Sequence, residues 1–210
     1  MTDSPDRPPT RWALGGTATS QGYGRHFARL VDDGADLEGE ARLADTLVPR
    51  RATILDVGAG MGRVTAALTA RGHTVVGVEP DAALVAQARE TYPHVDVLHA
   101  DALDLAPPLL EGRPHAFDLV VLVGNVMVFL AEGTERLVLS AVRRVLAPGG
   151  RVLVGFHPHG APAGSREYPP EEFVADAGAA GLTVHLRAGS YELHPPNDDY
   201  AVWVLGTEDG

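Results

Sequence analysis

A glycine-rich turn carries the plainest chemical signal in this sequence. Residues 54–63 read ILDVGAGMGR, a β-branched run followed by glycines at positions 58, 60 and 62. Glycine adopts backbone angles that strain other residues, and it lets a ligand come close to the main chain. The free amide groups at the start of a following helix favour a negatively charged group. We therefore predict that Gly58, Gly60 and Gly62 hold a small ligand.

Three acidic residues lie at the ends or edges of β-branched runs near this turn. Asp56 precedes the glycines, Glu79 closes the run TVVGVE, and Asp101 follows VDVLHA. The carboxyl ends of adjacent parallel strands meet at the edge where open α/β sheets bind ligands. A carboxylate at Glu79 can accept both hydroxyls of a ribose, and one at Asp101 can accept from an adenine amino group. Asp56 would face a pyrophosphate unfavourably and suits a cationic ligand better.

Simpler interpretations of the same residues stay open. The glycines could form a plain tight turn. Glu79 could be an acid at the start of a helix whose N-cap is Asp81, and Asp101 could cap a helical turn at 102–105. A dinucleotide also fits such a loop, but its G-x-G-x-x-G fingerprint needs a third glycine at the position of Arg63.

The elements that position these residues alternate between two periodicities. Apolar, β-branched runs predict strands at 53–57, 74–78, 95–98, 117–123, 151–156, 182–188 and 200–206. Helical spacing of apolar residues predicts helices at 37–48, 62–71, 82–91, 134–146 and 171–180. This alternation predicts an α/β fold, with a parallel sheet that is covered by helices on both faces.

Composition excludes several classes of function. The 210 residues include 28 acidic and 17 basic ones, all of the latter Arg, for a net charge of −11, which argues against a nucleic acid partner. The absence of Cys excludes disulfides, thiolate zinc sites and cysteine nucleophiles. The longest apolar run, 119–131, is too short to span a membrane, and no signal peptide pattern is present. We expect a cytoplasmic protein with no membrane partner.

Residues 52–156 resemble the core of a class I S-adenosylmethionine-dependent methyltransferase. In that family the loop after the first strand is commonly D-x-G-x-G-x-G, matched by residues 56–62, and an L-x-P-G-G turn precedes the fifth strand, matched by LAPGG at 146–150. The resemblance implies a doubly wound, Rossmann-like sheet of seven strands, mostly parallel with the last antiparallel. It implies S-adenosyl-L-methionine as cofactor and a methyltransferase domain at 37–210, preceded by a flexible segment at 1–36 that could act as a lid.

The resemblance also implies roles for individual residues. Glu79 would bind the ribose, while Asp101 would lie near adenine beside the backbone N–H of Ala102. Asn125 lies at the mouth of the fourth strand, near the methionine moiety. Tyr23 takes the place of the N-terminal aromatic residue that closes over the cofactor in many relatives. The predicted cofactor-binding set is Asp56, Gly58, Ala59, Gly60, Gly62, Glu79, Pro80, Asp101, Ala102, Asn125 and Tyr23.

His157 and His159 follow the fifth predicted strand, at the edge where a substrate should lie. They are the candidate catalytic residues, because the pKa of His suits proton abstraction near neutral pH. A simpler explanation is that both histidines are polar residues of a surface loop. Their H-x-H spacing could ligate a metal, but no third ligand is identifiable, so no metal site is predicted.

The favoured hypothesis is methyl transfer to an N, O or C nucleophile of a small-molecule acceptor. The donor already carries a sulfonium leaving group, so alignment and water exclusion matter most and a dedicated base is optional. Two alternatives stay open: a non-catalytic module that binds S-adenosylmethionine, and an NAD(P)-dependent oxidoreductase, against which Arg63 argues. The sequence indicates neither the acceptor nor the oligomeric state.

Overall fold

A single seven-stranded sheet forms the centre of the molecule. The computed structural model describes residues 7–16, 22, 30, 33, 35–160 and 162–208. The strands are β1 (Thr53–Val57), β2 (Thr74–Glu79), β3 (Asp96–His99), β4 (Phe117–Leu122), β5 (Leu146–Phe156), β6 (Thr183–Ala188) and β7 (Ala201–Gly206). They lie in the order β3-β2-β1-β4-β5-β7-β6. β7 pairs antiparallel with β5 and β6, and the other neighbouring pairs are parallel, which confirms the predicted fold.

Seven helices are described beside the sheet. They are α1 (Arg11–Leu14), α2 (Gly39–Thr46), α3 (Arg63–Ala70), α4 (Ala82–Thr91), α5 (Val126–Phe129), α6 (Glu135–Arg144) and α7 (Pro170–Ala179), with a 3-10 turn at Ala102–Asp104. The five predicted helices are present, with ends within two residues of the expected positions. The sequence did not predict α1 and α5, because four residues are too few to show a helical period.

The two faces of the sheet bury separate apolar cores. Alternate residues of β1 enter opposite cores, since side chains of a strand point to opposite faces: Leu55 lies on one side and Ile54 on the other. α6 and α7 cover the first face, and α2 and α3 cover the second. Helices on both faces hold the carboxyl ends of the central strands in place, so the loops that follow those strands start from a rigid edge.

The start of β5 differs from the prediction. LAPGG was expected as a turn before the strand, but β5 already begins at Leu146, which pairs with Phe117 before a register shift brings Arg151 opposite Leu119. Gly149 has φ 73°, and a Cβ on Gly150 would lie 2.8 Å from the Phe117 carbonyl oxygen. Glycine at both positions lets the chain bend while it stays paired with β4, so the predicted boundary at residue 151 was wrong.

The N-terminal segment makes long-range contacts where it is described. Thr10 caps α1 by accepting the Ala13 N–H at 3.1 Å, and Arg7 donates to Asp104 at 2.9 Å. Residues 7–14 of the expected flexible segment thus make polar contacts with distant residues, and the flexibility of residues 1–36 stays a prediction. Such contacts leave no periodic pattern in a sequence. The domain boundary at residue 37 and the lid role stay predictions. None of the described helices has the length and apolar character needed to cross a membrane.

Candidate active site

The turn between β1 and α3 depends on its glycines. Gly58, Gly60 and Gly62 have φ values of 72°, 57° and 82°, in the left-handed region that favours glycine. The N–H of Gly58 donates to the Val78 carbonyl at 2.9 Å, which fixes the turn to β2. A Cβ on Gly58 would lie 2.5 Å from Cγ2 of Val126, closer than any side chain tolerates. Where the turn faces α5, there is therefore no room for a side chain, and the backbone itself is the surface.

Glu79 fixes the same turn from the end of β2. Its side chain is buried, and its Oε2 accepts the Gly60 N–H at 2.9 Å while Oε1 accepts the Asp81 N–H at 2.8 Å. Burial raises the pKa of Glu79 to about 7, although the two backbone donors act in the opposite direction. Each carboxylate oxygen has two lone pairs and so keeps one for a further donor, such as a sugar hydroxyl.

Asp81 and Asp101 both act as helix caps. Oδ1 of Asp81 accepts the Ala83 N–H at 2.8 Å at the start of α4, as the sequence predicted. Oδ1 of Asp101 accepts the Leu103 N–H at 2.8 Å and caps the 3-10 turn. Asp101 also lines the cleft described next, so its capping and ligand-facing positions are compatible.

A cleft of about 670 Å³, measured out to bulk solvent, lies over the carboxyl ends of the central strands. Six of the predicted cofactor residues line it: Gly58, Gly60, Glu79, Pro80, Asp101 and Ala102. Six apolar residues that the sequence analysis did not name line it as well: Val57, Val78, Leu84, Val126, Phe129 and Leu130.

The remaining predicted cofactor residues lie beside or beneath the cleft. Asp56 is 2% exposed and accepts the Thr65 hydroxyl at 2.7 Å, and its burial raises its pKa to about 6. Ala59 and Gly62 pack under the turn against residues of α4 and its neighbours. Tyr23 lies outside the described residues. The cofactor roles of these residues stay predictions.

Asn125 and His157 form a fixed pair at the ends of β4 and β5. Oδ1 of Asn125 accepts the backbone N–H of His157 at 2.9 Å and contacts its Nδ1 at 2.9 Å. A backbone N–H can only donate, so the atom facing it is the amide oxygen, and Nδ1 must then carry a hydrogen. The lone pair of the neutral ring is therefore on Nε2, and burial lowers the pKa of His157. His159 is exposed two residues further on.

Two tyrosines extend this side of the site. The hydroxyls of Tyr191 and Tyr200 lie 2.9 Å apart, and the backbone N–H of Gly124, which lines the cleft, acts to lower the pKa of both phenols. The Tyr200 ring meets the His157 ring edge-on, with 4.8 Å between centroids. Burial raises the pKa of both phenols well above the ordinary value, so both stay protonated. Sequence reasoning missed them, because they flank a turn that resembles a plain hairpin.

The N-terminal segment forms one wall of the cleft. Nε1 of Trp12 donates to Oδ2 of Asp81 at 2.9 Å, and its ring meets the edge of Phe129 with centroids 5.4 Å apart. Trp12 and Thr10 line the cleft. Trp12 thus reaches from the start of α4 to α5. An isolated Trp in a polar, Pro-rich stretch was the one signal that could have indicated it.

These residues fit S-adenosylmethionine. The apolar lining suits a purine, Glu79 and Asp101 offer acceptors for hydroxyl and amino groups, and the bare main chain at Gly58 leaves room beside the turn. Carboxylates around the cleft also suit a cation. Arg63, at the third glycine position of a dinucleotide loop, pairs with Glu40 at 2.6 Å. Within the described ranges, no group of three or more acidic, His or Cys residues could hold a metal ion.

Three comparisons with known proteins agree with this geometry. A family model described as a methyltransferase domain matches residues 54–150. The chain is 32% identical to a TehB-like SAM-dependent methyltransferase from Corynebacterium glutamicum, with a TM-score of 0.80 over 91% of this chain and 99% of the other. It is 31% identical over 124 residues to a ribosomal RNA small subunit methyltransferase A of Dehalococcoides mccartyi, covering 58% of this chain and 40% of the relative.

A more distant structure shares the fold. The 1,6-didemethyltoxoflavin-N1-methyltransferase of Burkholderia thailandensis, solved with 1,6-didemethyltoxoflavin and S-adenosylhomocysteine, has a TM-score of 0.64 at 19% identity, over 97% of this chain and 93% of the other. The sheet order, the glycine turn and the similarity across almost the whole Corynebacterium protein lead to one assignment. The chain belongs to the class I S-adenosylmethionine-dependent methyltransferases, and it is an enzyme that uses S-adenosyl-L-methionine as its cofactor.

Proposed function

We propose that this enzyme methylates an N, O or C nucleophile of a small molecule, which approaches the cleft at the ends of β4 and β5. The Asn125–His157 pair carries this proposal, because it follows directly on Gly124, a residue of the cleft wall. The bound cofactor supplies an electrophilic methyl group on a sulfonium. The protein has to bind the acceptor, orient it and take any proton that its nucleophile loses.

His157 is the candidate base. Its Nδ1–H is engaged by Asn125, so Nε2 holds the lone pair that can accept a proton from a hydroxyl or an amine. The lowered pKa keeps that lone pair available at neutral pH. A His in the other tautomer could not do this from the same position, so Asn125 acts by setting the tautomer.

The phenol pair offers a donor to the same acceptor molecule. Two hydroxyls hold two hydrogens, and the 2.9 Å contact between Tyr191 and Tyr200 uses one of them. The second hydrogen stays available for an oxygen or nitrogen of the acceptor. A lone pair on His157 and an O–H on this pair together suit an acceptor that carries a protonated nucleophile beside a hydrogen-bond acceptor.

Charge favours a small molecule over RNA. The net charge of −11 repels a phosphate backbone. Many cations are also engaged within the protein, since the arginines that lie within 4.0 Å of a carboxylate include Arg7, Arg11, Arg42, Arg63, Arg71, Arg113, Arg136 and Arg166. The relative named for ribosomal RNA matches the chain over only 40% of its own length.

The test is transfer of an isotopically labelled methyl group. Labelled S-adenosylmethionine is incubated with the enzyme and either an ultrafiltered small-molecule extract or purified small-subunit ribosomal RNA. We expect label in the small-molecule fraction. Label in the RNA, with none in small molecules, would overturn the proposed acceptor class.

A pair of histidine variants tests the base. We expect His157→Asn to lower kcat by about 10²- to 10⁴-fold on the acceptor so identified, with unchanged affinity for S-adenosylhomocysteine. His159→Asn is the matched control, because that exposed side chain lies two residues away on the same loop. Equal losses in the two variants would contradict the role of His157.

A further inference from the structure

A buried carboxylate, Glu135, lies between the two segments that flank the cleft. It is the first residue of α6 and is 3% exposed. Nη1 of Arg11, in the N-terminal wall, lies 3.2 Å from its Oε1, and Nη1 of Arg166 lies 2.8 Å from the same oxygen. Arg166 belongs to the loop after β5, which begins at His157. One oxygen atom therefore joins segments that are 155 positions apart in the chain.

The two arginine segments hold the same stretch of chain. We call residues 126–135, from the start of α5 to the start of α6, the platform. Arg11 donates to the Leu130 carbonyl at 2.7 Å, and the Arg166 N–H donates to the Val128 carbonyl at 3.0 Å. Both guanidinium groups then meet at Glu135. The platform is thus anchored to the N-terminal wall and to the loop after β5.

The platform also forms part of the cofactor cleft. Val126, Phe129 and Leu130 line the cleft, as do Thr10 and Trp12 of the N-terminal wall. A ligand in the cleft gains contacts with both and so favours the arrangement in which Arg11 reaches Leu130 and Glu135. Arg166 is the residue of the loop after β5 that this arrangement holds. The Tyr168 N–H donates to the carbonyl of Pro158, the neighbour of His157, at 3.1 Å, so an ordered Arg166 segment also orders the chain next to His157.

Charge balance sets the sign of the coupling. Arg166 also pairs with Glu172 at 2.6 Å, so the two cations face two anions and do not simply repel. When Arg11 leaves, water reaches the carboxylate of Glu135, and its attraction for Arg166 weakens as the local dielectric constant rises. When Arg11 is paired with Glu135, the ion pair between Glu135 and Arg166 is therefore stronger.

We propose that Glu135 is a positioning residue that couples occupancy of the cofactor cleft to order in the acceptor-side loop, residues 157–160 and 162–169. The inference rests on the proposed function only in assigning that loop to the acceptor side. The coupling is measured without any acceptor, so its failure and the failure of the proposed acceptor class are distinguishable.

The two anchoring arginines allow a direct test. The chain has no Lys, so trypsin cleaves it only after Arg, and both Arg11–Trp12 and Arg166–Glu167 are cleavable bonds. Cleavage requires local opening, and a ligand that binds the closed form lowers the open population. We expect saturating S-adenosylhomocysteine to slow cleavage after Arg166 by about fivefold, relative to the exposed Arg50–Arg51 bond.

Three variants separate coupling from local stability. Glu135→Gln should abolish the ligand effect at Arg166 while ligand still slows cleavage after Arg11, because its neighbours Thr10 and Trp12 still line the cleft. Arg11→Gln should abolish the effect at Arg166 although the Glu135–Arg166 pair is intact. Glu172→Gln, the matched control, removes the exposed partner of Arg166 and should retain the effect. Calorimetry with S-adenosylhomocysteine sets the saturating concentration for each variant.

A merely structural Glu135 would change the basal cleavage rate and leave the response to ligand intact. The proposal is overturned if ligand leaves cleavage after Arg166 unchanged in the native chain. It is also overturned if Glu135→Gln or Arg11→Gln responds like the native chain, or if Glu172→Gln loses the response as well. Should Glu135→Gln fail to fold, Arg11→Gln decides alone.

Discussion

The cofactor side and the acceptor side of this site are built in different ways. On the cofactor side, the predicted residues that line the cleft lie in short segments, 58–60, 79–80 and 101–102, at or just after the ends of parallel strands. On the acceptor side, Asn125 and His157 follow β4 and β5, while Tyr191 and Tyr200 come from the last connection. One side follows from local backbone rules, and the other arises only when distant segments pair.

Their electrostatics differ as well. The cofactor side buries the carboxyls of Asp56 and Glu79, and burial raises the pKa of each. The acceptor side presents a neutral imidazole and two phenols that stay protonated. A cationic cofactor can offset the free-energy cost of ionising the buried carboxyls. The acceptor side buries only neutral groups, so it needs no compensating charge.

The largest expected effect is on the cofactor side. Glu79→Ala removes both carboxylate oxygens and should weaken binding of S-adenosylhomocysteine by about 3–6 kcal/mol, the worth of two charge-assisted hydrogen bonds. Isothermal titration calorimetry measures it. Glu90→Ala, which makes the same charge change at an exposed position of α4, is the control. Unchanged affinity in Glu79→Ala would remove the ribose assignment.

The contact between the two sides can be tested at Gly58. Gly58→Ala places a Cβ 2.5 Å from Val126 at φ 72°, and should lower the free energy of unfolding by about 2–5 kcal/mol from overpacking and backbone strain. Denaturant unfolding measures the loss. Adding Val126→Ala removes the clashing methyl groups and should recover the steric part. Equal losses in the single and double variants would mean that Val126 is not the obstacle.

The comparison also predicts opposite responses to pH. The folded pKa values of Glu79, about 7, and Asp56, about 6, lie above their ordinary values. Their contribution to the stability of the cofactor-free protein is therefore fully present at acid pH, below about 4, and is lost as the pH rises to about 7. Ligand binding goes the other way, because sugar hydroxyls donate to the ionised Glu79.

Affinity for S-adenosylhomocysteine should rise by about tenfold between about pH 6 and pH 8, or about 1.4 kcal/mol. Calorimetry at several pH values measures this, and Glu79→Ala should flatten the profile. A profile that keeps its slope without Glu79 would assign the titration to another group.

The cofactor side could be predicted because its signals are local. The turn needs glycines at three positions of positive φ, and Glu79 and Asp101 lie where β2 and β3 end. The alternation of β-branched runs with helical spacing also predicted the strands of the sheet and the ends of most helices. Asp56 shows what local signals cannot predict. It lies next to the glycine turn as expected, but its carboxyl points toward Thr65, beneath the cleft.

The rest could not be predicted, because it depends on long-range partners. Trp12 is 69 positions from Asp81, and Arg11 is 124 positions from Glu135. Tyr191 and Tyr200 flank turn residues, and only the fold brings their hydroxyls to 2.9 Å from each other. No spacing rule links such residues, so the N-terminal wall and the two phenols become visible only in the structure. Asn125 and His157 were expected, because they follow the fourth and fifth strands.

The smallest expected effect tests whether the two sides are energetically separate. Tyr191→Phe removes one hydroxyl of a half-buried pair, and should lower the free energy of unfolding by about 0.5–1.5 kcal/mol. Tyr200→Phe should cost a similar amount, and the double variant less than the sum, because each single variant already breaks the shared bond. Affinity for S-adenosylhomocysteine should stay unchanged in all three, since neither hydroxyl lines the cofactor cleft. A tenfold loss of affinity would instead mean that Gly124 passes the state of the phenols to the cofactor, and that the two sides act as one site.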